Sequence, residues 1–564
     1  MLPSAFRARI FAGLLIASLC LPTLASAQSG STGSETGITG SETGMTGSET
    51  GSTGMTGSGG GGTGDQTFGP GDTDLGGGTL TLARAIFNGG TVSNGAIDAS
   101  SEHEVSRGQV TAILAGSGSL SKITADTFIV ASTSTYTGTT TVSDGTLQIG
   151  NGGTTGSIAS TSIANNASLV FNRSDTLTYG GTISGSGSLT QAGTGTLILT
   201  SDNTYTGTTT VSAGTLQLGA GASGGLINGN ITNDADVAFN RGGDYTFGGV
   251  ISGTGNVIQN GSILRLSSAQ TYTGTTTING GIFVLPTGTD QGLSASTKVR
   301  VATGASVDLS NRALTVAGLT GNGTVYSFGG SSGHLTVATP NGESQVFSGV
   351  LGGSQADFAL TKSGTGTLTL GGANNYTGDT TVSAGALLVN GSLGNTAVTV
   401  SSGANLGGSG TFGGLVSLSS GAHLAPGNSA GTLTFNSGLT LLSGSILDFE
   451  LGTTSDRIVV AGGTLTGPAS GTVTLNFSDA GGFAAGTYLL FDFSAGGVTT
   501  DSFDLADFTF GSTIAGFNYN LAFNGNTLAL TASAIPEPST VAVGLGAVAL
   551  AAVIVRRRRR LLLR

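Results

Sequence analysis

At 564 residues the chain is long enough for several ordinary domains or one extended solenoid, and its 102 glycines without a G-X-Y period exclude collagen. A hydrophobic share of 37% argues against a wholly disordered chain, and Thr, Ser, Val and Leu in short alternating runs read as strands and turns. The formal charge of −11 understates the acidity of the middle: between the termini stand 11 basic and 29 acidic residues, about −18, which argues against nucleic acid as a partner because phosphates need clustered Lys and Arg.

Residues 1–27 have the three parts of a secretory signal. Arg7 and Arg9 supply the positive end and Ile10 to Leu21 the apolar run. Ala25-Ser26-Ala27 is a small-x-small site, which places cleavage by signal peptidase between Ala27 and Gln28. The single cysteine, Cys20, lies inside this leader behind Leu19, where a lipoprotein site would carry a small residue. The exported chain is therefore expected to have no disulfide and no thiolate chemistry, and to owe its stability to stacked strands. Residues 28–64 form a Gly/Ser/Thr linker. Within it Ser34 to Gly54 repeats S-E-T-G-x-T-G three times, with glycine at two positions per copy and no apolar seam, so it is a spacer rather than a coiled coil.

From residue 65 the pattern changes to short β runs separated by Gly, Asn and Ser. A motif recurs four times: YTGTTTVSDGTLQIG from Tyr136, YTGTTTVSAGTLQLG from Tyr205, YTGTTTINGGIFVLP from Tyr272 and YTGDTTVSAGALLVN from Tyr376. The spacings of 69, 67 and 104 residues divide into three, three and five turns of roughly 21 to 23 residues, a length suited to three short strands and their corners. About 17 turns are expected in all. Within the second copy Val211, Leu216 and Leu218 should point inward and Thr outward, with Gly214 at the turn. In the third copy Ala269-Gln270 replaces the Asn pair and Pro286 ends the strand, which leaves the stack around 286–345 open to interruption. These copies resemble the autotransporter-associated β-strand repeat, with its N-x-Y-T-G and T-T-V-S-x-G-T-L elements. The resemblance implies a right-handed parallel β-helix on a cell surface and no particular reaction. The β-helix is expected over 65–420, followed by a β cap over 421–534 whose many phenylalanines build an aromatic core.

Residues that could carry chemistry are sparse. His103, His334 and His423 show no metal-ligand spacing and are expected at surface turns. Glu102 and Glu104 flank His103, and Asp448 and Glu450 share one strand face, where like charges could hold a cation but usually sit solvated. The 11 basic residues are scattered, and Arg173 and Arg241 recur in F-N-R as remnants of the repeat. A β-helical polysaccharide lyase or hydrolase would need acids and bases gathered over adjacent turns. Gly59 to Gly64 lacks the G-K-[ST] of a phosphate loop, and the calcium nonapeptide does not recur. No cofactor, metal or catalytic residue is expected.

The C-terminus reads Ile535-Pro536-Glu537-Pro538-Ser539, then an apolar run from Thr540 to Val555, then Arg556, Arg557, Arg558, Arg559 and Arg560. A transmembrane helix is expected over 540–555, short for a bilayer but extended by snorkelling Arg, with the arginines cytoplasmic and everything before Pro536 outside. A plain tail anchor would share these features. The order of parts in 535–564 resembles the PEP-CTERM sorting signal, which implies an exosortase-type membrane protease in a Gram-negative bacterium that makes extracellular polysaccharide. A type V autotransporter would instead need a C-terminal barrel of amphipathic strands. The sequence thus predicts an exported, inner-membrane-held and then surface-displayed structural or adhesion protein, not an enzyme. Its polar ladders would face exopolysaccharide or a neighbouring cell surface.

Overall fold

The computed structural model describes residues 64–286, 292–329, 333–353, 358–427, 429–495, 498–535 and 550–558. All of them lie within the unit Gly51–Arg564. Strands of three or four residues alternate inward and outward, as in Thr215–Leu218, where Leu216 and Leu218 are buried. Too short to be stable alone, they gain stability by stacking. Leu197, Leu216, Val237 and Val257 stand one above the other in parallel register, so a turn takes about 20 residues. The result is an all-β parallel solenoid of about 18 turns. One column alone holds sixteen strands, from Leu177–Tyr179 to Phe508–Phe510. It passes without a break through Thr276–Ile278, Lys298–Val301, Gly318–Gly321 and Ser344–Phe347, so the irregular third copy does not interrupt the stack.

Three polar positions of the motif explain why the repeat reads as it does. Tyr136, Tyr205, Tyr272 and Tyr376 are wholly buried, and each hydroxyl bonds the Thr four residues on: Thr140 at 2.7 Å, Thr209 at 2.6 Å, Thr276 at 2.5 Å and Thr380 at 2.6 Å. These threonines therefore point inward, contrary to the expectation that Thr faces out; only the following Thr of each strand does so. Burial holds the Tyr hydroxyls well above their ordinary range, Tyr205 at about 12. Two residues before the Tyr, Asn203 accepts the Ile183 N–H at 2.9 Å and donates to the Ser201 carbonyl at 2.7 Å. Gln270 takes the same place, accepting from Ile251 at 2.7 Å and donating to Ser268 at 2.6 Å, which is why its departure from Asn is harmless. Tyr205→Phe should leave the Thr209 hydroxyl buried without its partner and lower the stability of these turns by about 1–2 kcal/mol, read as earlier urea unfolding or faster amide exchange in 204–218. An unchanged midpoint would mean that the pair is dispensable.

The motif does not keep to one face. The second strand of the first copy, Thr146–Ile149, shares a column with the first strand of the second copy, Thr209–Val211, three steps on. Thr215–Leu218 and Thr276–Ile278 stand in the same relation. The second and third copies therefore each lie three turns and one further face beyond the copy before, rather than three whole turns. Between the third and fourth copies the column from Thr276–Ile278 reaches Ala386–Val389 in five steps, so their first strands lie four turns and two faces apart rather than five turns. The physical reason is that corners vary in length: three and a third turns take 69 and 67 residues, about 20 to 21 per turn, whereas four and two thirds take 104, about 22 per turn.

At the C-terminal end the parallel columns give way to antiparallel pairing. Gly486–Asp492 pairs with Thr527–Ala534, which pairs with Phe517–Phe523. Phe483, Phe491, Phe493, Phe503, Phe508, Phe517 and Phe523 pack there ring against ring, for example Phe483 on Phe517 at 4.8 Å and Phe503 on Phe508 at 5.4 Å. Residues 550–558 are helical. Among the described residues no helix is long and apolar enough to cross a membrane. Of the helix expected over 540–555, residues 550–555 are helical and 540–549 lie outside the described residues.

Candidate functional site

Ala25, Ala27, Gln28, Pro536, Glu537, Pro538, Arg559 and Arg560 lie outside the described residues. Arg556, Arg557 and Arg558 are helical and exposed. The strand Thr527–Ala534 ends two residues before Pro536, and neither Pro536 nor Pro538 has an N–H with which to continue a ladder.

The candidate chemical residues are placed in strands, not in turns. His103 lies in Ala96–Val110 and is fully buried. Its Nε2 donates to the Ala115 carbonyl at 3.0 Å and burial holds its pKa below the usual imidazole range. Glu102 and Glu104 point the other way, and both meet Arg84, Glu102 at 3.1 Å. His334 Nε2 meets the Thr361 hydroxyl at 2.8 Å. Asp448 and Glu450 do share one face, but Asp448 is held by His423 Nδ1 at 2.7 Å and by the Asn476 amide at 2.7 Å, a cluster that ties three successive turns together. Asp456 is buried and pushed up to about 7 by that burial, although its carboxylate accepts the backbone N–H groups of Gly431 and Glu450, both at 2.7 Å. Among the described residues no group of three or more His, Cys, Asp or Glu is placed to hold a metal ion.

One feature escaped sequence reasoning, and a second, the polar ladders expected from the sequence, gains definite members. The first is a buried Lys or Gln, Lys122, Gln191, Gln259 and Lys362, that stands one turn before each copy in register with Val142, Val211, Ile278 and Val382, the last residues of the T-T-V-type strands. Lys362 donates to the carbonyls of Ser363, Gly364 and Ala384 at 2.7, 2.8 and 3.1 Å. Lys122 does the same for Thr124 and, at 3.3 Å, Asp144. Gln191 serves Gly193 at 2.8 Å and Gly195 at 3.1 Å from the equivalent position. The signal was present: the polar residue recurs in phase with the motif. The second is a column of outward hydroxyls in register on one face, Thr315, Thr336, Thr361, Thr381, Thr399, Ser417, Thr440 and Thr466.

These features define a repeat protein whose inward polar groups hold turns together and whose outward surface is a set of small polar ladders. Matches with known families agree. The passenger-associated-transport-repeat, the autotransporter-associated β-strand repeat, matches residues 122–149, 189–218, 259–285 and 360–389. Each matched segment begins within two residues of a buried Lys or Gln and runs to the end of a G-T-L-type strand. A PEP-CTERM protein-sorting motif matches residues 534–560. A 50-residue stretch is 46% identical to the adhesin BmaC autotransporter of Brucella suis biovar 1 (strain 1330), covering 9% of this chain and 2% of that protein. The chain is a surface-exposed β-solenoid built on autotransporter-associated β-strand repeats and equipped with a PEP-CTERM sorting motif.

Proposed function

We propose that this chain is an exported, non-enzymatic structural or adhesion protein of a Gram-negative cell surface or extracellular matrix, sorted by an exosortase-type membrane protease. Signal peptidase would release it between Ala27 and Gln28. The segment from Thr540 would hold it in the inner membrane until processing, oriented by Arg556 to Arg560 on the cytoplasmic side. Exposed Leu550, Val553, Ile554 and Val555 on residues 550–558 support a lipid contact. The observation that carries the proposal is the sorting motif at 534–560, which begins where the closing strand Thr527–Ala534 ends. The rod then presents its hydroxyl and amide ladders to exopolysaccharide or to a neighbouring cell.

Replacing Pro536, Glu537 and Pro538 together by Ala leaves the apolar run and the arginines intact. The full-length protein should then accumulate in the inner membrane, while the wild type is processed and reaches the surface. Normal processing of the triple variant would reduce the motif to a spacer and leave a plain tail anchor. Sustained cleavage of a polysaccharide by the purified wild type, lost in Asp448→Asn, would overturn the non-enzymatic part.

A further inference from the structure

One of the columns that close the C-terminal end stops at Phe517–Phe523. This strand pairs on one side with Thr527–Ala534 and on the other with no strand among the described residues. Its two ends tell which backbone groups are left over. The Asn524 N–H bonds the Thr527 carbonyl, and the Ile535 N–H bonds the Gly516 carbonyl. Residues 516 and 524 thus belong to hydrogen-bonded pairs, and by the alternation of an antiparallel ladder so do Asn518, Asn520 and Ala522. The N–H and C=O groups of Phe517, Tyr519, Leu521 and Phe523 point the other way, to the open edge. The short turn Leu505–Asp507 lies beside the strand but makes no backbone hydrogen bond to it.

An edge of this kind invites another strand, and folded chains guard such edges by shortness, charge, proline or a bulge. The other strands that end columns here are guarded: Phe508–Phe510 has three residues, and Thr499–Asp501 carries Asp501. Phe517–Phe523 reads F-N-Y-N-L-A-F, seven residues without charge or proline and in unbroken register with its neighbour. Its Phe517, Tyr519, Leu521 and Phe523 side chains are only half-buried, and Phe510, 6.0 Å from the Tyr519 ring, is exposed.

The strand is also its own complement. A second copy turned about a twofold axis at Asn520 sets Tyr519 opposite Leu521 and Phe517 opposite Phe523. Free N–H and C=O groups then meet free groups, and the apolar side chains of both copies share one face. Of the registers that match free groups with free groups, this one leaves none of the four residues without a partner. We propose that Phe517–Phe523 is a self-recognition edge, through which two copies of this chain join antiparallel about an axis at Asn520. The proposal goes beyond surface display and sorting and does not depend on either.

The test is analytical ultracentrifugation of the full chain in mild detergent, which makes the result independent of processing. The wild type should sediment as a dimer that dissociates on dilution. Asn520 is exposed and stands opposite itself in a pair of the kind that brings side chains closest. Asn520→Lys and Asn520→Asp should each weaken the dimer by about tenfold or more, because like charges then face one another. Mixing the two variants in equal amounts should restore a dimer, which misfolded chains could not do. Thr531→Lys adds the same charge at an exposed position one strand further in and should leave the dimer unchanged. A monomeric wild type, an Asn520→Lys dimer as tight as the wild type, an equal loss in Thr531→Lys, or a mixture no tighter than its two parts would each overturn the proposal.

Discussion

Gly207→Ala should destabilise the solenoid by about 3 kcal/mol or more, although it adds only one methyl group. Gly207 is the glycine of Y-T-G in the second copy. A Cβ there would stand 2.2 Å from the carbonyl oxygen of Gly187 and 2.5 Å from its carbon, in the turn below. Its φ is not left-handed, so the need is not conformational freedom but the close approach of two backbones. The same glycine in the other copies, Gly138, Gly274 and Gly378, would bring a Cβ within 2.3, 2.2 and 2.5 Å of backbone oxygen. The methyl can be housed only by prising two turns apart, which breaks ladder hydrogen bonds on both sides. Gly280→Ala, where the nearest atom is 3.6 Å away, is the control and should stay within about 0.5 kcal/mol of the wild type. Urea midpoints of the three proteins decide the matter; a Gly207→Ala protein as stable as Gly280→Ala would show that the turns are looser than this geometry requires.

The second large effect belongs to Lys362. Lys362→Met should cost about 2 kcal/mol or more by leaving the carbonyls of Ser363, Gly364 and Ala384 without their donor. Lys362→Gln should be far milder, because Gln191 fills the equivalent place. The two forms also differ in pH dependence. Burial pushes Lys362 down to about 8 from 10.5, so between those values the unfolded chain holds a proton that the folded chain has released. Stability from this group therefore rises as the pH climbs from about 8 to 10.5, by roughly 3 kcal/mol at full shift, and below about 8 the cost of burying the ammonium is present in full. Lys362→Gln should lack that rise. Subtracting its pH profile from that of the wild type cancels the opposing ionisation of the tyrosines, and a flat difference would mean that the amine is not desolvated.

The alternation within each strand was legible because period two needs only four residues to show itself, and it placed Val211, Leu216, Leu218 and Gly214 correctly. Thr209 was not, because its hydroxyl is made inward-facing by Tyr205, a partner that only the folded corner reveals. His103 carried a clue that went unread: two flanking glutamates on one face of a strand oblige the residue between them to face the core. The number of turns between copies was hidden because corners vary in length, so residue spacing does not translate into a whole number of turns. The sorting motif was read entirely from sequence, since its signal is compositional and linear.

The offset of one face between the first three copies has an evolutionary consequence. Duplicating either of those units, 136–204 or 205–271, would not simply lengthen the stack. Because the unit contains three turns and a third, every added copy would also rotate all that follows by about a third of a revolution about the long axis, and three copies would be needed to restore the original azimuth. A lineage that gains or loses copies of this unit thus re-aims its outward ladders relative to the strands that close the C-terminal end. Copy number in such a protein sets direction as well as reach.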